Sequence, residues 1–144
     1  MTAYLIVLTL LFIQPLIRLA AYAWGSHLNS HIVLVPFIAG YLLYERRHTL
    51  PARGRRALTG AALLGGFGAV ASAAALGWRG GISLNDELAL FAVAYVALVA
   101  AGGYLFLGSA WMRAAVFPVG FLVFLVPMPD AAVNWLERAS MVAS

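Results

Sequence analysis

Two histidines and two serines lie within six residues of this chain, between Ser26 and His31. His27 and His31 are four residues apart, the spacing that places two zinc ligands on one face of a helix. The glycine, asparagine and serine around them favour a turn instead, and neither an acid nor a third ligand lies nearby in sequence. We therefore expect no metal site here.

The same residues have the types needed by a serine hydrolase, with Ser26 or Ser30 as nucleophile and His31 as base. Adjacent residues do not face each other, however, and no acid is placed to orient the histidine. The chain contains no cysteine, which excludes disulfides, thiolate metal sites and a cysteine nucleophile within it. The sequence predicts no catalytic residue, no metal and no cofactor in this chain.

Composition indicates a membrane protein. Of the 144 residues, 64% are hydrophobic and 10% are charged, whereas soluble domains carry roughly 25% charged residues. At about 20 residues per crossing, the length allows roughly four to six helices. We expect an all-α, polytopic integral membrane bundle of about five transmembrane helices, forming a single transmembrane domain over residues 1–144, with the lipid bilayer as its surroundings.

The positive charge is concentrated in residues 45–56, which hold one glutamate and the arginines Arg46, Arg47, Arg53, Arg55 and Arg56. Because the charge is not spread along a solvated face, it does not predict nucleic-acid binding. It is typical of a topology signal, which places this loop and the N-terminus in the cytoplasm, with binding of anionic lipid or nucleic acid by the loop as the alternative. The chain is then a multi-pass protein of the inner (cytoplasmic) membrane, with Ser30 and His31 at its outer surface.

Five helices are predicted, over residues 3–23, 31–44 (kinked at Pro36), 57–78, 88–107 and 114–126. Asn85 is the expected N-cap of the fourth, and Asp86 and Glu87 suit its positive dipole end, which leaves catalysis by these acids as the weaker alternative. In the third helix, a stripe of small residues at every fourth position predicts a buried helix and gives no indication of a dimer. Its members are Ala61, Gly65, Ala69, Ala73 and Gly77.

The segment FPVGFLVFLVPMPD, residues 117–130, is an apolar run that opens on one proline and closes on two. Because proline cannot donate to a continuing helix, the run must stop at the membrane surface. Pro127 and Pro129 then lie on the same outer side as His31. After Asp130, apolar residues at helical spacing, Ala132, Trp135, Leu136 and Ala139, predict a C-terminal amphipathic helix.

Two of these segments together resemble the exosortase/archaeosortase family. The first is Ser30-His31-Ile32-Val33-Leu34-Val35-Pro36 followed by Tyr44 and the Arg46-Arg47 pair, and it departs from the family pattern at Ile32, where glycine is usual. The second is FPVGFLVFLVPMP. Both occur in order and on the same predicted side of the membrane, and the resemblance covers the N-terminal half of the family's fold.

The resemblance implies a membrane cysteine transpeptidase or protease. Such enzymes process the C-terminal sorting signals of exported proteins, which consist of a PEP-like motif, a transmembrane segment and a basic tail. Ser30, His31, Pro127 and Pro129 become candidate substrate-binding residues, with a structural hydrogen bond from His31 and simple helix termination by the prolines as the alternatives. The family's catalytic cysteine, arginine and further basic residue match no position here, since they belong to later helices.

Whether this chain acts as an enzyme is left open by its lack of cysteine. The alternative is a non-enzymatic membrane protein, either a truncated or degenerate relative that binds sorting signals or a scaffold subunit. A small transporter is less well supported, because it would need polar groups near the bilayer midplane.

Overall fold

The computed structural model describes residues 1–25, 31–51, 54–78, 80–128 and 130–143. Within these ranges all regular structure is helical and no strand occurs. The helices are α1 (Thr2–Leu11), α2 (Ile13–Gly25), α3 (His31–Glu45), α4 (Leu58–Gly77), α5 (Leu84–Phe106), α6 (Ser109–Ala114), α7 (Val116–Phe121) and α8 (Asp130–Ala143), with short 3₁₀ turns at Arg46–His48 and Leu122–Leu125.

Among the described residues, α4 and α5 are long and apolar enough to cross a membrane, and α1 with α2 makes a third span if the bent pair is counted as one. The predicted count of about five spans is therefore not confirmed. α3 has 15 residues, or about 22 Å at 1.5 Å per residue, against a hydrocarbon core of about 30 Å. Pro36 lies inside α3, which runs through it without interruption.

Two expected helices are each broken. The predicted helix over residues 3–23 divides at Phe12 into α1 and α2, which are bent by 69°. The predicted helix over residues 114–126 divides at Ala115 and tightens into a 3₁₀ turn after Phe121. The two break residues have nearly the same conformation, with φ −95° and ψ 11° at Phe12 and φ −95° and ψ 9° at Ala115.

A proline follows each break at the same distance. Pro15 and Pro118 are the third residues of α2 and α7. The proline ring clashes with the carbonyl four residues earlier and supplies no N–H, so a helix ends before it, whereas the first turn of a new helix tolerates it. Each break thus lies just before a proline that fits the first turn of the new helix, whereas Pro36 is accommodated inside α3 without a break.

The helices α4 and α5 pack against each other along a seam of small residues. On α4 the buried positions are Gly68, Ala71 and Ala75. A Cβ added to Gly68 would lie 2.7 Å from Leu98 Cγ and 3.1 Å from the Ala94 carbonyl oxygen of α5. The two helices are therefore in near-backbone contact at this point.

The predicted small-residue stripe is correct at Gly65 and wrong further along, since Ala69, Ala73 and Gly77 are exposed. A strict four-residue repeat advances about 40° around a 3.6-residue helix at each step, so it leaves any single face. The observed seam, from Gly68 through Ala71 to Ala75, instead repeats after seven residues, a spacing that stays close to one face of the helix.

The described chain has two distinct ends. At one end, the Ala57 N–H donates to the Tyr104 carbonyl over 3.1 Å and the Gly54 N–H donates to the Leu107 carbonyl over 3.1 Å. We call this the arginine end, comprising the described residues of 45–57 and residues 104–117. At the other end, α2, α3 and α5 meet the 3₁₀ turn Leu122–Leu125.

The predicted C-terminal helix is confirmed as α8. Trp135 and Val142, seven residues apart, are 69% and 89% exposed, and they lie on one face of the helix. Glu137 and Arg138 are exposed as well. The position of α8 at a membrane interface stays a prediction.

Candidate functional site

The two segments that carry the family resemblance come together in one hydrophobic cluster. Ile32 and Val35 of α3 pack with Leu125 of the 3₁₀ turn, against α2 and the first half of α5. The other buried members of the cluster are Leu19, Ala23, Leu88 and Ala92. Residues about ninety positions apart in sequence thus form one wall at the end opposite the arginine end.

Ile32 is the position at which the sequence departs from the family pattern. Its side chain is 1% exposed and is among the largest fully buried ones in the described chain. Its side chain contributes contacts between α3 and the 3₁₀ turn that a glycine at this position would lack.

The end of the wall is tied to α5 by one hydrogen bond. The Asn85 amide Nδ2 donates to the Met128 carbonyl oxygen over 2.7 Å, and Asn85 is 7% exposed. Pro127 is fully buried, whereas Met128 is 52% exposed. We call Pro127, Met128 and the first turn of α5 the proline rim.

The predicted role of Asn85 as N-cap is wrong. Ser83 is the N-cap of α5, since its side chain accepts a hydrogen bond from the Asp86 N–H over 3.1 Å. Ser83 and Asp86 have the Ser-x-x-Asp spacing of a capping box, a signal that was present in the sequence. With the cap supplied by Ser83, the Asn85 amide is available to hold the rim.

Asp86 and Glu87 lie in the first turn of α5, where the helix dipole favours negative charge. Within the described ranges, no group of three or more histidine, aspartate or glutamate residues is arranged to hold a metal ion. This end combines a buried apolar wall with a backbone segment held by one hydrogen bond.

The predicted site residues are described in part. Pro127 lies in the rim, and residue 31 begins α3 immediately before Ile32, which places its backbone at the same end. Ser30, Pro129 and the side chain of His31 lie outside the described residues. Of the topology-signal arginines, Arg46, Arg47, Arg55 and Arg56 are exposed at the arginine end, and Arg53 lies outside the described residues.

Comparison with known proteins gives one match. The family model described as transmembrane exosortase matches residues 24–144, a range that contains both motif segments. No match was found among curated proteins or among solved structures. The family match and the apolar helices together place this chain in a membrane.

Proposed function

Because this chain belongs to the transmembrane exosortase family, we propose that its proline rim binds the C-terminal sorting signal of an exported protein. The observation that carries the proposal is the hydrogen bond from Asn85 to Met128 at the end of the shared wall. This bond fixes the backbone of Met128, directly after Pro127, in one position at the same end as the start of α3. An ordered backbone edge can bind an extended peptide without paying for its own ordering.

The position of the rim relative to α5 suits such a substrate. The Met128 carbonyl is bonded to Asn85, the second residue of α5. The rim therefore lies within about one turn of the N-terminal end of α5, a helix that is long enough to span the bilayer. The transmembrane segment of a sorting signal can lie alongside α5. The peptide just outside that segment then lies at the same depth in the membrane as the rim. His31, at the start of α3, is the proposed polar contact to this peptide.

The role that we assign to this chain is binding and orienting the peptide. An acyl-enzyme step would need a thiolate, and this chain has no cysteine. A non-enzymatic binding or scaffold protein is therefore the second candidate function. It requires the same rim and the same peptide contact.

A variant at His31 tests the peptide contact. The change His31→Ala is expected to weaken binding of a sorting-signal peptide to the purified chain in nanodiscs by about tenfold, the effect of losing one polar contact. Fluorescence anisotropy of a labelled peptide measures the affinity. His48→Ala, at the arginine end, is the control and should bind as the unmodified chain does. Equal affinity of all three proteins would reduce His31 to a structural residue.

We also propose that the rim faces away from the cytoplasm and that the N-terminus lies inside. Residues 45–56 and Arg113 hold six of the nine arginines and one of the five acids. The described ones among these residues lie at the same end as Tyr4 of α1, which contacts Phe106. This charge asymmetry between the two ends supports the orientation by the positive-inside rule.

The lack of cysteine makes the orientation directly measurable. In intact cells, a membrane-impermeant maleimide is expected to label Met128→Cys and to spare His48→Cys. Both positions are exposed, so each should react fully once the membrane is opened with detergent. Labelling of His48→Cys alone in intact cells would reverse the proposed topology.

A further inference from the structure

The helix α2 presents three faces of different character. Leu19 and Ala23 are buried in the hydrophobic cluster. Gln14 and Arg18, four residues apart and therefore on one face of the helix, are exposed. A third face is apolar and also exposed, and it consists of Ile13, Ile17, Ala20 and Trp24. One face thus packs against protein, whereas a polar face and an apolar face lie exposed side by side in the described part of the chain.

The hydrocarbon boundary at the rim end can be located on α5. The first turn of this helix is polar, with Asn85, Asp86 and Glu87. From Leu88 to Phe106 the helix carries no charge. At 1.5 Å per residue that stretch is about 28 Å long, close to the hydrocarbon core of about 30 Å. The boundary at this end therefore lies near Leu88.

The helix α2 lies just inside this boundary. The ring centroid of Phe12, at the break, is 6.4 Å from that of Phe91, and Phe91 lies about one turn, or about 5 Å, inside Leu88. Towards the other end of α2, Leu19 and Ala23 pack in the same cluster as Leu88. Amphipathic helices bound at a membrane surface lie at about this depth, roughly 5–10 Å into the boundary between headgroups and acyl chains.

The bend at Phe12 turns α2 towards the plane of the membrane. The Tyr4 hydroxyl donates to the Leu98 carbonyl over 2.9 Å. The Thr9 and Tyr95 hydroxyls lie 3.1 Å apart, so two hydrogen bonds hold α1 along α5. The 13 residues of α2 form a helix about 20 Å long. After a bend of 69°, only about 7 Å of that length follows the direction of α1.

The polar face of α2 lies towards the polar first turn of α5. Gln14 and Arg18 line one small cavity together with Glu87 and Leu88. The arginine is therefore at the level of the polar turn and not among the acyl chains, where a charge is costly. The apolar face is about 100° away around the helix, so it is directed away from both the cluster and the polar turn.

We propose that α2 is an interfacial helix that binds the membrane surface at the rim end. Its apolar face contacts the upper part of the acyl chains, and Gln14 and Arg18 face the headgroups. Trp24, 82% exposed on the apolar face, is a residue type enriched at this depth. The lipid surface is the partner that fits a helix with an apolar face and a polar face side by side at the boundary.

This binding sets the depth of the hydrophobic wall. Leu19 and Ala23 of α2 pack in the same cluster as Ile32 of α3 and Leu125 of the 3₁₀ turn. A helix anchored in the interface therefore holds both motif segments at the level of the headgroups. Membrane binding by α2 is independent of whether the proline rim binds a sorting signal.

Depth measurements by spin labelling test the orientation of α2, since the chain has no cysteine that would compete for the label. In lipid bilayers, nitroxides at Ile13→Cys and Trp24→Cys should lie at depths that differ by about 6 Å. The matched control is the pair Phe67→Cys and Trp78→Cys, two exposed positions with the same separation in sequence. They lie along α4, which is long enough to span the membrane, so their depths should differ by about 16 Å. A difference above about 10 Å between the two α2 labels would overturn the proposal.

Two adjacent alanines test which face of α2 meets lipid. Ala20 belongs to the apolar face and Ala21 lies on the side of Arg18, and both are exposed. A nitroxide at Ala20→Cys should collide mainly with O₂ dissolved in the lipid, and one at Ala21→Cys mainly with a water-soluble nickel chelate. The same collision preference at both positions would contradict the proposal. If the label at Ala20→Cys collides with neither reagent, protein covers the apolar face and the lipid assignment is wrong.

Discussion

Replacing Gly68 with leucine is expected to separate α4 from α5 and to cause the largest loss of stability of any single substitution considered. At this position the Cβ alone would lie 2.7 Å from Leu98 Cγ and 3.1 Å from the Ala94 carbonyl oxygen. Leu98 can rotate, but the carbonyl belongs to the helix backbone and cannot. Three further carbon atoms must then be accommodated by moving one helix away from the other. Overpacking of this kind costs about 1–3 kcal/mol and occasionally more.

The matched control is Gly66→Leu, two residues earlier on the same helix. A Cβ there meets no atom within 4 Å. Both variants gain about the same helix propensity, roughly 1 kcal/mol over glycine, so the difference between them isolates the packing term. Thermal unfolding in detergent, followed by circular dichroism, should show a lower Tm for Gly68→Leu alone. Equal Tm values would mean that the two helices do not pack along this seam.

Replacing Asn85 with leucine is expected to have the largest effect on binding. Leucine fills a similar volume in the buried site but cannot donate to the Met128 carbonyl oxygen, which now accepts a 2.7 Å hydrogen bond. Loss of a buried hydrogen bond costs roughly 1–3 kcal/mol, and about 1.4 kcal/mol corresponds to a tenfold change in affinity. The proline rim should lose its fixed position, and sorting-signal affinity should fall by about tenfold or more.

The control for this variant is Asn134→Leu, which makes the same change at an exposed position of α8. It should leave peptide affinity unchanged. Hydrogen exchange of the Asp130–Ala143 helix and of residues 122–128 provides a second readout, because release of the rim should speed exchange there in Asn85→Leu. Unchanged affinity together with faster exchange would separate the tether from peptide binding and contradict the proposed role of the rim.

Much of this architecture could be predicted from the sequence because composition and charge act over whole segments. The two long helices α4 and α5, the basic loop between α3 and α4, and the helix after Asp130 all follow from apolar runs and their flanking residues. The family follows from two motif segments whose residue types are specific enough to be recognised together. The structure is consistent with that resemblance, since residues of both segments pack in the same hydrophobic cluster.

The breaks in the helices were missed although their cause is local. The sequence predicts one helix over residues 3–23, which contains Pro15, and one over residues 114–126, which contains Pro118. In both cases the proline disfavours a continuous helix through the position four residues earlier and suits the first turn of a new one. Pro36 shows that this preference alone does not decide the outcome, since α3 runs through it. An apolar composition is the same on both sides of such a break, so hydropathy alone does not reveal it.

The tether between Asn85 and Met128 could not be predicted from local pattern. The two residues are 43 positions apart. An asparagine at position 85 is equally suited to cap a helix and to donate a buried hydrogen bond, so its residue type does not decide between the two roles. Only the arrangement of the wall against α5 brings the Met128 carbonyl within reach. Ser83 is the local feature that could have excluded the cap assignment.

The most direct test of the central claim is site-specific photo-cross-linking of a sorting-signal substrate to this chain in membranes. A photoreactive residue at position 128, in the rim, is expected to capture the peptide next to the PEP-like motif. The same residue at position 58, where Leu58 is 65% exposed at the start of α4, next to the arginine end, should not capture that part of the substrate. Capture at position 58 with none at position 128 would contradict the assignment of the proline rim as the peptide-binding site.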